Sequence, residues 1–121
     1  MKKLESTKLT ADQQKFFTDK LAFVSSVSKD GEPQVGPKGS LNVVDESHLA
    51  WVEVTHAHLW ENVQAGSKVA VVVADVPSHT NVRVIGTPHV SEDKEFIEAQ
   101  YKKTGKTSGD VVVIDIEEID A

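Results

Sequence analysis

The chain has 121 residues and no cysteine, which excludes disulfides, thiol nucleophiles and cysteine-ligated metals together. Its 19 acidic against 13 basic side chains leave a formal charge of -6, which speaks against duplex DNA or anionic membrane as a general partner while leaving room for one phosphate. A hydrophobic share of 39% suffices for one globular core, and no apolar run approaches the roughly 20 residues of a membrane span or opens the chain as a signal peptide would. The expectation is a single cytoplasmic domain, small enough that a homodimer would help to stabilise it.

In chain order, residues 1–9 have no clear period and read as a loose N-terminal arm, with the domain proper over 10–121. Thr10 is placed as an N-cap, and Gln13 three positions later completes a capping box. A short helix to about Lys20 follows, with Phe16 and Phe17 on one side. A first strand from near Leu21 reaches the Asp30-Gly31 pair, the strongest local hairpin signal in the sequence. Its partner runs to about Val44, interrupted by Gly36-Pro37-Lys38-Gly39. Two glycines there let backbone approach something closely, beside one positive charge. That neighbour is either the chain's own fold or a bound anion. Flanked by Gly36, Gly39 and Ser40, Lys38 is a candidate phosphate donor, against the plainer reading of a solvated strand residue.

After a turn at Asp45-Glu46-Ser47, His48–Val54 forms a third strand. In THAHLWENVQAG, Leu59 and Val63 stand one helical turn apart, Gly66 suits a C-cap, and Thr55 or His56 marks the change from strand to helix. Asn62 is odd in a helix interior. It points into water or, if buried, holds a loop or a ligand. Val69–Val76 is almost wholly β-branched and reads as a strand buried on both faces. Ser78-His79-Thr80 is a loop and Asn81–Val90 a strand. Ser91 is placed as the cap of a helix with Glu92 and Asp93 in its first turn, Lys102 and Lys103 in its last, and Gly105 at its end. Val111–Ile119 closes the chain. The class is mainly β: about six strands and three short helices, spaced too closely for repeated parallel crossovers, hence a small antiparallel barrel.

His56 and His58 form an H-x-H pair beside Glu61, for which His79 or His89 could complete a metal site. The alternatives are loop or cap histidines, or contact with a ligand anion. The spacing does not match a metal-binding cupin. Trp51 and Trp60 are expected in the core or at an interface. No serine has a nucleophile-elbow context, and GPKGS is too short for a P-loop.

Taken in order, AFVSSVSKDGEPQVGPKG, LAWVEVT, HLWENVQAGSKVAVVV, VRVIGTPHV and VVVIDIEEI resemble the FMN-binding split barrel of the pyridoxamine 5'-phosphate oxidase-like superfamily, over the chain from Leu9 onward. The resemblance implies a six-stranded antiparallel split β-barrel that pairs as a homodimer with FMN in the intersubunit groove. It implies that Gly36, Pro37, Lys38, Gly39 and Ser40 line the flavin and its phosphate, that Thr55 ends the third strand beside it, that His56 also belongs to the cofactor site, and that Asn62 is the family's helix asparagine. His58 falls where many members place a phosphate-gripping Arg or Lys, and a histidine is charged only below about pH 6.5 unless shifted. The sequence stops soon after the last strand, before a segment resembling the substrate-recognition region of the vitamin B6 enzymes. The implied activity is electron transfer between a reduced nicotinamide or other donor and a small-molecule acceptor. The rival readings are a flavin carrier or sensor without turnover and, more distantly, a metal-binding barrel.

Overall fold

The structure is a computed structural model and describes residues 1–121. The capping box forms as read: Thr10 Oγ1 accepts from the Gln13 N–H at 3.1 Å, and Gln13 Oε1 accepts from the Thr10 N–H at 2.9 Å. It starts α1 (Ala11–Asp19), which buries Phe17 and leaves Phe16 half-covered. Strands β1 (Ala22–Val27) and β2 (Pro33–Lys38) form the hairpin, with Gly31 at φ 83° supplying the left-handed turn residue. Then come β3 (Asn42–Asp45), β4 (His48–Glu53), α2 (His58–Gln64), β5 (Val69–Asp75), β6 (Thr80–Val90), α3 (Lys94–Thr104) and β7 (Asp110–Asp120).

All pairings are antiparallel, in the order β2-β1-β5-β6-β7-β4-β3. The sheet therefore has seven strands where six were expected. The stretch read as one interrupted strand is two, because β2 pairs with β1 while β3 pairs with β4 at the opposite edge. Residues Gly39–Leu41 carry the chain from one edge to the other. So short a connection spans at most about 14 Å, so the sheet must curl until its edges approach. Ser40 pins the crossing: its buried hydroxyl accepts from the Val52 N–H at 3.0 Å and donates to the Val52 carbonyl at 3.2 Å. No ladder joins β2 to β3, and the barrel is split.

Three further expectations are corrected. Along β5 only Val69, Val71 and Val73 are buried, while Ala70 and Val72 are half-covered, because the barrel interior shields one face alone. The cap of α3 is Asp93, whose Oδ1 accepts from the Glu95 and Phe96 N–H groups; Ser91 Oγ instead accepts from Asp93 N. Residues 1–9 are not loose. Lys2 and Ala121 exchange backbone hydrogen bonds of 2.8 and 2.9 Å, Leu4 N–H donates to Ile119, and Leu9 is buried in the core. Phe17, Leu49, Trp51, Ile114 and Ile119 fill that core with the inward valines. No helix is long and apolar enough to cross a membrane.

Candidate functional site

A cleft of about 280 Å³ runs along β2, bounded by Val24 and Ser26 of β1 and by Thr55, Ala57, His58 and Leu59 at the entry to α2. Because β2 is an edge, Pro33 and Pro37 are tolerated in it without breaking a ladder on both sides. A smaller cleft of about 170 Å³ adjoins it, sharing Pro37, Lys38 and Thr55 and adding Gly39, Ser40 and Lys106.

The glycines here differ from those the fold requires. A Cβ at Gly36 or Gly39 would meet nothing within 4 Å, and neither has a positive φ. At Gly86 a Cβ would fall 2.3 Å from the Asp115 carbonyl, and at Gly109, with φ 121°, 2.5 Å from that of Glu53. Within one chain, neither packing nor backbone geometry demands glycine at 36 or 39. Their missing side chains leave open surface along the cleft.

Beneath the cleft lies a charged residue the sequence reading missed. Glu53 is 1% exposed, yet its carboxylate accepts from the Trp51 indole N–H at 3.1 Å, from the His56 backbone N–H at 2.9 Å, and from Lys38 Nζ at 3.2 Å. Burial pushes this carboxyl up, but the His56 N–H, the Trp51 indole and Lys38 outweigh it and hold Glu53 below the usual carboxylate range. The available signal was its position: two residues after Trp51 on a strand, Glu53 had to share the face of a core tryptophan. Lys38 is thus not a solvated strand residue. Its charge is matched by Glu53, and the only other ionisable group lining the cleft is His58.

The remaining predicted residues divide by location. Thr55 is exposed between the two clefts. His58 lines the larger one with a side chain 72% exposed, its Nδ1 3.6 Å from Glu61. His56 does not line it: the ring faces the Val54 carbonyl through Nδ1 at 3.1 Å and Asp110 through Nε2 at 2.7 Å, and stands nearly perpendicular to the Trp60 ring with centroids 5.0 Å apart. Asn62 is buried and donates to Ser26 Oγ at 3.0 Å, so it holds the cleft wall from behind. His79 sits in the β5–β6 turn and His89 beside Asp115, and no three side chains of metal-binding type cluster.

A curled antiparallel sheet with unpaired facing edges and a cleft along one of them defines a split β-barrel protein. The chain belongs to the pyridoxamine 5'-phosphate oxidase family, whose model matches residues 9–121. Among solved structures it is similar to a Lactobacillus delbrueckii protein provisionally assigned as a pyridoxamine 5'-phosphate oxidase, at 48% identity over 100% of both chains with a TM-score of 0.92. It is similar to HupZ of Group A Streptococcus at 25% identity, over 92% of this chain and 91% of that one, with a TM-score of 0.81. It shares the fold alone with an FMN-binding protein from Syntrophomonas wolfei, at 14% identity over 82% of this chain and 74% of that one, TM-score 0.69. Among curated proteins none matches.

Proposed function

We propose that the protein is a flavoprotein that holds FMN along β2 and acts as an oxidoreductase, working as a homodimer. The observation that carries this reading is the open surface over Gly36 and Gly39, which the chain's own packing does not use, in a member of this family. Solved proteins named for FMN binding and for F420 reduction share the fold and support it. In this reading the backbone at Gly36 and Pro37 would face the flavin, Lys38 and Thr55 would donate hydrogen bonds to it, and His58 would serve the phosphate. Asn62 and Ser26 keep the opposite wall in place. When bound, the flavin supplies the electron transfer; the protein contributes position and polarity.

The size of the cleft bears on the dimer. At about 280 Å³ it falls just short of the roughly 300–1,000 Å³ of pockets that enclose a whole ligand. One chain offers a half-site. Its rim residues Val35 and Pro37 lie cross-strand from Ser25 and Phe23, on the sheet's outer face, where Phe23, Val27 and Val35 are exposed. A second copy packed on that apolar face would supply the missing wall.

Titration of FMN into the apoprotein, followed by flavin fluorescence, should saturate at one flavin per chain, and NADH or NADPH should bleach the bound flavin at a catalytic rate. His58→Ala should weaken FMN several-fold and spare riboflavin. A folded protein that leaves FMN fluorescence unquenched overturns the flavin reading.

A further inference from the structure

Resting on the flavin reading, we propose that Lys38 faces the uncharged ring system of the flavin rather than its phosphate, with Glu53 as the positioning residue that cancels its charge and fixes its direction. Lys38 Nζ stands 3.2 Å from each carboxylate oxygen of Glu53, so the ammonium straddles the carboxylate and keeps one N–H free. Glu53 is anchored independently, with Trp51 Nε1–H on Oε1 and the His56 N–H on Oε2. The lysine lines both clefts with a side chain only 18% exposed, and is held before any ligand arrives.

Charge decides which end of the ligand such a donor suits. A phosphate dianion at Lys38 would have the buried Glu53 carboxylate directly behind the ammonium, and the pair is neutral in sum. Three donors hold that carboxyl in its ionised form, below the usual carboxylate range, so protonation does not relieve the conflict near neutral pH. A carbonyl oxygen or ring nitrogen at the flavin's edge needs only a directed N–H, and a neutral pair supplies that without demanding a counter-charge. The phosphate is left to His58 in the larger cleft, to Lys106 in the smaller one that Lys38 also lines, and to the second copy.

The test compares FMN with riboflavin, which lacks the phosphate. In the unaltered protein the carbon-ε NMR signal of Lys38 should move as far with riboflavin as with FMN; movement with FMN alone overturns the assignment. The double variant Lys38→Met/Glu53→Gln leaves no lone buried charge and should weaken both ligands together by about fivefold, their ratio unchanged. A loss confined to FMN puts Lys38 on the phosphate, and no loss for either makes the pair structural only; both outcomes overturn the proposal. Glu53→Gln alone frees the ammonium and should favour FMN over riboflavin by about fivefold at low salt, an advantage that added salt removes. An unchanged ratio refutes the charge cancellation. If the wild-type protein binds neither flavin, the parent reading fails, a result distinct from any of these.

Discussion

His56 shows how one side chain can organise the loop beside the cleft. Its φ of 52° is unusual for a residue other than glycine, and the surroundings hold it there: the backbone N–H on Glu53, both ring nitrogens on acceptors, the ring packed T-shaped with Trp60. A ring facing a carboxylate at one nitrogen and a carbonyl at the other is best satisfied when doubly protonated. Asp110 accordingly raises the His56 pKa above its ordinary value, with a smaller push from the Val54 carbonyl, against the opposing effect of burial. A raised folded-state pKa gives stability that is complete below the unfolded value near 6.5 and is lost as pH climbs through the folded value. We therefore expect the thermal midpoint to decline as pH rises above the ordinary histidine value near 6.5 and through the raised folded-state value, with a flatter profile in Asp110→Asn. An NMR titration of the His56 ring at or below the unperturbed value would contradict this account.

At the scale of elements, the glycines of β2 and β6 make opposite predictions from the same substitution. Gly86 lies in the middle of the sheet, at the register shift between β6 and β7, where a methyl group would collide with the Asp115 carbonyl and Ile114 Cγ2. Backbone cannot yield there without breaking the ladder, so Gly86→Ala should cost about 2 kcal/mol or more. Gly36→Ala meets open space at an ordinary φ and should change stability by less than about 0.5 kcal/mol, or raise it slightly by restricting the unfolded chain. Urea denaturation of the two variants gives the comparison. Should Gly36→Ala prove as damaging as Gly86→Ala, the glycine belongs to the barrel and not to a binding surface.

For the whole molecule, the proposed dimer rests on the outer face of the β1–β2 hairpin. Val35 is 73% exposed and Val27 49%, and Phe23 adds an aromatic ring to the same face. Burying such a face between two copies would remove apolar area from water while completing the half-cleft that Val35 and Pro37 border. Val35→Asp leaves the monomer's own packing untouched, since that side chain is nearly free of it. It should turn a sedimenting dimer into a 13.2 kDa monomer and release flavin in proportion. A wild-type monomer that retains flavin tightly would refute the shared site.

The sequence by itself determined what depends on neighbours a few positions apart. The Thr10–Gln13 capping box, the Asp30-Gly31 turn, the Gly66 and Gly105 helix ends and the order of β-rich runs are all legible, because capping, turn geometry and side-chain alternation are set within a turn or a hairpin. The interruption at Gly36–Gly39 was legible as a break but not as a change of sheet edge. Only the tertiary structure decided that β2 and β3 are opposite edges, that the N-terminal residues pair with the end of β7, and that Glu53 sits beneath Lys38. It likewise brought His56 to Asp110, 54 positions away, and Asn62 to Ser26, 36 away. Such pairs are fixed by how the curled sheet folds back on itself. No local pattern encodes which distant strand a side chain will meet, because alternation specifies a face of the sheet and not the neighbour across it.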